Sequence, residues 1–365
     1  MTGEPGDGAR RVVVRAPVRV GDVGGWTDTW FGSPGVVCHL AVGPAVVVEA
    51  AFVDGVAGPG LGPVRIVAPL LFEDYRAGPS PDRGWRWPVP GRQPLLEHAV
   101  ASVLEDVPLP AGRSVELHIT SAVPAGASLG TSGSVVVAVL AALDALVGRR
   151  RSAAELATAA HAVETDRARR ESGVQDQWAA ALGGCGLLAI GPYPDVRHRS
   201  VALADDTVAE LGERLVTVVF GPHDSSAVHA QVIDAMVGYG GPTHDAARSA
   251  LGRLSALAPE AAAALEGGSV DDWARVLTAA TDAQGALHPD LVGAAHAAAI
   301  DVARSAGANG WKVNGAGGEG GSLTVVAPDA AAAADLSVRL AHVSPAWQVV
   351  DLRPAGPLEV LAVTP

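Results

Sequence analysis

Lysine is almost missing from this sequence: Lys312 is the only one, and the other 25 of the 26 basic residues are arginine. Against them stand 39 acidic residues, giving a formal net charge of −13. No basic stripe is left to replace counterions along a phosphate backbone, so general nucleic-acid binding is excluded. Any phosphate handling has to be local. Long apolar runs are missing too, although 48% of the residues are hydrophobic. The best candidate, Ser132 to Val147, is shorter than a bilayer span and contains Asp144. The opening MTGEPGDGARR has no apolar h-region, so neither export nor membrane anchoring is expected and the protein is expected in the cytoplasm. Cysteine is limited to Cys38 and Cys185. They form neither a metal-ligand spacing nor a disulfide framework, and two buried thiols are expected.

A chain of 365 residues exceeds what one hydrophobic core usually holds, so two domains with a cleft between them are expected. Valine-rich segments at Arg11 to Val20 and Val36 to Phe52, bounded by Gly, Pro and Asp, predict strands flanking a loop at Gly21 to Gly35. Asp54 to Gly91 predicts a loop-rich excursion with a strand-like piece at Val64 to Ala68 and the Trp85 and Trp87 pair. A helix at Leu95 to Leu104, a strand at Ser114 to Thr120 and a long apolar helix follow. Helical periodicity then covers Ala153 to Arg170. Leu187 to Ile190 and Leu215 to Phe220 predict strands joined by a connection that carries the domain boundary. Residues 223–304 predict alanine-rich helices broken at Gly240 to Pro242 and at Gly267 and Gly268. The chain returns to strand, loop and strand at Gly310 to Ala327, then a helix at Asp329 to His342 and a strand at Trp347 to Leu352.

Three segments carry possible chemistry. VPAGASLGTSGS, Val123 to Ser134, follows a strand and opens the apolar helix. Its glycines let backbone approach an anion, the free N–H groups of the helix end supply donors, and Thr131, Ser132 and Ser134 add hydroxyls. The plainer reading is a Gly/Ser cap on a buried helix. It lacks the lysine of the Walker pattern, so an ordinary P-loop is excluded. NGAGGEGGS, Asn314 to Ser322, contains G-x-G-x-x-G but runs into a strand, which rules out a dinucleotide fingerprint and leaves a glycine-rich loop or a simple hairpin. Glu164 and Asp176 could divide metal binding from proton abstraction, or be solvated helix charges. Near the start, Arg19 precedes a loop with Trp26, Thr27 and Asp28. There an arginine can keep an aspartate ionised, an aspartate can accept sugar hydroxyls and an aromatic can stack on a ring, or the loop is a tight surface turn.

The order of these segments resembles the GHMP kinases, the superfamily of galactokinase, homoserine kinase and mevalonate kinase, across nearly the whole chain. Ala16 to Val20 resembles its first motif, Pro124 to Ser134 its second and Gly315 to Gly320 its third; Gly24 to Thr29 and Gly173 to Gln177 resemble the fucokinase and heptose 7-phosphate kinase branch, whose members phosphorylate the anomeric hydroxyl. The resemblance implies a two-domain α+β fold: residues 1–195 a nucleotide-binding domain like ribosomal protein S5 domain 2, residues 196–365 a ferredoxin-like domain. It implies ATP and Mg2+ as cofactors. By position, Asp176 matches the catalytic base and Arg19 its basic partner, while Ser132 and Glu164 match the magnesium ligands. Pro124, Gly126, Ala127, Ser128, Gly130, Thr131, Ser132, Gly133 and Ser134 would wrap the nucleotide phosphates. Trp26, Thr27, Asp28, Gln175, Gly315, Gly317 and Gly318 would meet the acceptor.

The departures from the motifs are Glu319 in place of a glycine, Thr131 and Gly133 in the second motif, and Trp30 and Phe31 in place of prolines. A sugar phosphate acceptor would need a cationic pocket, for which Arg15, Arg83, Arg86, Arg92, Arg167, Arg169 and Arg170 are candidates. The resemblance implies an ATP-dependent sugar kinase acting on the anomeric hydroxyl of a heptose 7-phosphate or similar sugar; the rival readings are a kinase of an unphosphorylated sugar such as fucose or galactose, a ligand-binding protein without phosphoryl transfer, and a decarboxylase of a phosphorylated mevalonate derivative.

Overall fold

The computed structural model describes residues 11–54, 62–79, 92–224, 226–238 and 241–363. In chain order these give β1 (Arg11–Val23), β2 (Gly35–Asp54), β3 (Val64–Ala68), β4 (Glu73–Ala77), α1 (Pro94–Leu104), β5 (Arg113–Ser121), α2 (Thr131–Leu146) and α3 (Ala153–Ala162). Then come α4 (Gln175–Leu182), β6 (Cys185–Ile190), β7 (Val196–Val201), α5 (Asp205–Arg214), β8 (Leu215–Asp224), α6 (Ser226–Val237), α7 (Pro242–Glu266) and α8 (Val270–Leu287). The chain ends with α9 (Ala294–Ser305), β9 (Gly310–Val313), β10 (Glu319–Val326), α10 (Ala330–Val343), β11 (Gln348–Val350), β12 (Arg353–Pro354) and β13 (Glu359–Val363).

Two sheets organise these elements. A nine-stranded sheet has the path β13-β1-β2-β5-β3-β4, with β6 and β12 also on β2 and β7 on β6. The length of β2 makes this possible: its first part pairs with β6 and its last part with β5. The second sheet, β11-β8-β10-β9, is antiparallel throughout and carries α9 and α10. Its core is a separate cluster around Val218, Val313, Leu323 and Leu336, whereas the larger core joins the first sheet to α1, α2, α7 and α8. Mixed helices and sheets of this kind are the α+β class expected.

The division expected at residue 195 does not follow sheet membership. β7, β12 and β13 all lie beyond it in sequence, yet they hydrogen-bond into the first sheet, β13 beside β1 at the edge. The connection expected between Ile190 and Leu215 is itself structured, as β7 and α5. The helix predicted over Ala153 to Arg170 is α-helical only to Ala162; Val163–Arg167 forms a π-helical turn. Thr165 Oγ1 donates back to His161 O at 3.0 Å there, one of the side-chain bonds that perturb a helix from within. The apolar periodicity continues through the turn, so sequence pattern does not mark it. Cys38 and Cys185 are buried free thiols. Residues 1–10, Trp85, Trp87, Arg83, Arg86 and Gly240 lie outside the described residues.

Candidate active site

The site begins where β1 meets the glycine-rich loop before α2. The Arg19 amide donates to Leu129 O at 3.0 Å, which fixes strand and loop side by side. Gly130, at φ 72°, caps α2 in the left-handed region that a side chain would resist. The loop is also held from the second sheet: the His223 amide donates to Gly126 O at 2.9 Å and Ser322 Oγ donates to Ala127 O at 2.6 Å. A loop held this way needs both sheets in place.

Arg19 is buried, and its guanidinium ties three groups together. Nε donates to Asp176 Oδ1 at 2.8 Å, and Nη1 donates to Ser128 O at 2.7 Å and lies 3.5 Å from Asp22 Oδ1. Burial pulls its pKa down, but Asp176 and Asp22 together raise it. Asp176 stands in the first turn of α4, where the helix dipole favours a carboxylate. Its backbone lies so close to α2 that a Cβ on Gly133 would come within 2.9 Å of Asp176 Cβ. Gly133 is therefore a packing requirement for the site.

Glu164 lies on the π-helical turn, buried, with Ser132 Oγ donating to its Oε1 at 3.2 Å. Burial and then Asp176 push its pKa up, while hydrogen bonds from Ser172, Ser132 and Gln177 pull it back. A buried carboxylate short of positive charge beside a hydroxyl is a hard-oxygen donor pair suited to magnesium. Among the described residues no three acidic, histidine or cysteine side chains gather as a metal site.

Asp28 sits in the turn after β1. The Gln175 amide donates to its Oδ2 at 3.0 Å and the Val174 amide to its backbone O at 3.3 Å. Burial pushes the Asp28 carboxyl up to about 6; the Gln175 N–H opposes this, Asp176 adds to it, and Arg19 opposes it again. Because the folded value exceeds the unfolded 3.8, the folded chain holds the extra proton between about pH 4 and 6, and stability falls as pH rises through that window. The loss amounts to roughly 3 kcal/mol. Urea titrations between pH 4.5 and 7.5 should show Asp28→Asn without most of this decline; an unchanged decline would rule out Asp28 as its source.

Gly173 is the contact that leaves Asp28 room. A Cβ there would stand 2.1 Å from Asp28 Oδ2, so Gly173→Ala must displace the carboxylate at a cost of about 1–3 kcal/mol. If Asp28 meets the acceptor of the kinase that the sequence resemblance implies, the expected kinetic result is a KM for that acceptor raised tenfold or more with the KM for ATP little changed, read from initial rates.

Three adjoining hollows meet at these residues. The first, about 210 Å³, is lined by Arg19, Trp26, Asp28, Gln175, Asp176, Glu164 and Gly315 among others. The second follows the glycine-rich loop from Gly126 to Ser132. The third, about 200 Å³, is mostly apolar, with Leu70, Leu71, Leu95, Leu96, Ile119, Val123 and Val135. Ser132 lines all three.

Not every residue picked from the sequence faces this space. Trp26, at φ 75°, is among the residues lining the first hollow, its ring packed against Phe31 and His229, the kind of strained placement that functional sites carry. Thr27 instead donates its hydroxyl to Gly24 O at 2.7 Å within its own turn. Ser134 Oγ is buried between Pro17 O and Gly130 O. Pro124 lines none of the three hollows. Gly315 lines two of them, but Gly317 and Gly318 pack behind, the Gly318 amide donating to Leu291 O at 3.1 Å. They line none of the three hollows. Glu319 is exposed and lines none of the three.

Other contributors carried no motif signal. Asp22, fully buried, accepts the Gly315 amide at 3.1 Å and so joins the first motif to the third. Lys312 lies behind that loop and donates to Val313 O and, at 2.7 Å, to Gln284 Oε1, whose Nε2 donates to Gly315 O at 3.1 Å. Burial lowers its pKa, Asp22 opposing and Arg19 adding. Being the only lysine in the chain was the one available hint. Glu171 and His229 also line the first hollow.

Comparison with known proteins gives this geometry relatives. Residues 95–184, which hold the glycine-rich loop, Glu164 and Asp176, match the family model of the GHMP kinases N terminal domain. Mevalonate kinase of Pyrococcus abyssi (strain GE5 / Orsay) is 38% identical over 89 residues, which cover 24% of this chain and 26% of that protein. The matched stretch is thus about a quarter of the length of that curated relative. A D-glycero-D-manno-heptose 1-phosphate kinase from Bacteriodes thetaiotaomicron superposes with a TM-score of 0.73 at 20% identity, over 97% of this chain and 100% of that one. A putative sugar kinase from Campylobacter jejuni gives 0.70 at 18%, over 98% and 100%. Lactococcus lactis galactokinase, complexed with galactose, gives 0.69 at 14%, over 98% and 96%. At these identities the likeness is one of fold. The chain has the GHMP kinase fold, and its residues 95–184 match the GHMP kinases N terminal domain.

Proposed function

We propose that this chain is an ATP- and Mg2+-dependent kinase that phosphorylates a sugar hydroxyl, the anomeric one, of a heptose 7-phosphate or similar sugar. The observation that carries the reading is the continuity of the three hollows through Ser132: an apolar hollow for a nucleoside, a loop of backbone donors for phosphates, and a polar pocket with a carboxylate at its mouth. A phosphate donor and an alcohol acceptor laid along this path would meet at Asp176.

In this reading the loop from Gly126 to Ser132 holds and orients the phosphates through its N–H groups. Ser132 and Glu164 would hold magnesium, which when bound supplies positive charge to the phosphate oxygens. Asp176 takes the proton of the acceptor hydroxyl at a carboxylate oxygen, and Arg19 fixes the carboxylate's position and charge. Asp28 accepts hydrogen bonds from other sugar hydroxyls, and Trp26 presents an aromatic surface to the ring. Positioning and electrostatics do most of the work in such a transfer. The sequence resemblance to the heptose 7-phosphate and fucokinase branch supports the anomeric position. Among the described residues no helix is long and apolar enough to cross a membrane; a cytoplasmic location is part of the proposal.

The test is ADP release from ATP and Mg2+ against heptoses, heptose 7-phosphates, fucose and galactose. The expected result is sugar-dependent ADP, with mass spectrometry placing the new phosphate on the anomeric carbon. Magnesium-dependent ATP binding with no ADP release from any of these would instead favour a ligand-binding protein of this fold.

A further inference from the structure

Gly126, Thr131 and Ser132 line both the apolar hollow and the hollow along the glycine-rich loop. A nucleotide whose phosphates lie on the loop therefore has its base among the residues that line the apolar hollow alone. Leu70 and Leu71, from the turn after β3, are 47% and 38% exposed there, apolar surface that a planar base would cover. The polar side chains in this part are Gln93, Thr120, Ser121 and Arg170. Arg170 is anchored toward the phosphates, its amide donating to Glu164 O at 2.9 Å. Ser121 Oγ is taken up by Val123, donating to its O and accepting from its N–H, both at 3.0 Å. Thr120 carries a hydroxyl, which can donate or accept and so tells no two bases apart.

Gln93 has two unlike ends, and the fold fixes which end goes where. Its amide donates to Glu97 Oε1 at 3.1 Å, which holds the residue at the start of α1. Its side-chain Nε2 donates to Oε1 of Glu73, on β4, at 3.0 Å. The other oxygen of Glu73 pairs with Arg92 Nε at 2.5 Å, and Glu73 lines none of the three hollows. A carboxylate only accepts, so the carboxamide cannot be turned end for end. The nitrogen is committed to Glu73, outside the hollow, and the oxygen is the end that Gln93 turns to a ligand inside it.

Purines differ at the atom that would meet this oxygen. Adenine carries an amine at C6, a donor, whereas guanine and hypoxanthine carry a carbonyl oxygen, an acceptor. Two acceptors facing each other in an apolar hollow leave both unpaired, and a site built for one hydrogen bond rejects the analogue that cannot make it.

We infer that Gln93 selects the base of the phosphate donor: its Oε1 accepts from the 6-amino group of adenine and excludes 6-oxo purines, with Glu73 as the positioning residue that keeps the carboxamide in this orientation. The inference rests on the kinase reading, which puts the nucleoside in the apolar hollow, and adds to it the group that reads the base.

The experiment is titration calorimetry of ADP and IDP at the same Mg2+ concentration. The two ligands differ only in the 6-amino or 6-oxo group and the N1 hydrogen that accompanies the latter. The wild type should bind ADP tighter by tenfold or more. Gln93→Leu should bring the ratio to threefold or less, mainly through weaker ADP binding. Glu73→Gln should lower it at least threefold, because a primary amide both donates and accepts and no longer dictates which way Gln93 turns. Both ligands meet the same protein sample, so a loss of folded fraction leaves the ratio unmoved. Equal affinities in the wild type, or a ratio unchanged in either variant, would overturn the inference and leave the kinase reading standing. Binding of neither ADP nor IDP by the wild type would overturn the kinase reading itself, and the inference with it.

Discussion

Asp176→Asn is expected to lower kcat by about 10²- to 10⁴-fold, the usual contribution of a positioned general base, while the protein stays folded. Asparagine keeps the shape and keeps an oxygen to accept the Arg19 Nε hydrogen bond of 2.8 Å. What it loses is the capacity to take a proton from the acceptor. Stability should change by no more than about 1.5 kcal/mol, a single hydrogen bond weakened from charged to neutral. Steady-state kinetics with the sugar found by ADP release, together with circular dichroism and urea unfolding of the variant, read both quantities. A folded variant with near-wild-type turnover would remove Asp176 from the role of base. A KM for ATP close to that of the wild type is the accompanying expectation, since the nucleotide hollows meet the loop and α1 before they reach Asp176.

Arg19→Met should act differently, by destabilising the whole chain by about 3–5 kcal/mol, the usual cost of leaving buried carboxylates without their counter-charge. Asp22 is fully buried and Asp176 partly so, and both face the Arg19 guanidinium. The same group pins the glycine-rich loop through Ser128 O, so activity should fall with stability. Arg19→Lys should restore part of the stability but little of the activity. A single ammonium cannot reach Asp176, Asp22 and Ser128 O with the fixed spacing of a guanidinium. Urea midpoints of the three proteins at pH 7 decide the matter; an Arg19→Met variant within about 1 kcal/mol of wild type would mean that the carboxylates are stabilised by something else.

These two residues also mark where sequence reading succeeds and where it stops. Arg19 and Asp176 are 157 positions apart, and neither has a neighbour in sequence that makes it special. Their pairing was legible only through the order of three motifs, each short enough to be encoded by consecutive residues. The loop before α2 was legible for the same reason: glycines, hydroxyls and an apolar run in succession dictate a turn, a cap and a buried helix. The strands β1, β2, β5, β8 and β10 were legible from valine-rich alternation.

The features that sequence left hidden depend on contacts between distant segments. The edge strand β13 pairs with β1 across almost the entire chain, and the register that brings Glu359 opposite Arg15 has no local signature. The apolar hollow gathers Leu, Ile and Val side chains from the turn after β3, α1, β5 and α2, which do not differ in type from ordinary core residues. Gly317 and Gly318 look the same in sequence as Gly315, yet packing against Leu291 turns them away from the cleft. Local order along the backbone therefore determined the class of fold and the glycine-rich loop, and singled out Glu164 and Asp176 for the roles proposed above. Tertiary structure alone decided which carboxylates line the first hollow beside Arg19, because electrostatic balance is set by distance in space and by burial, which the order of residues does not record.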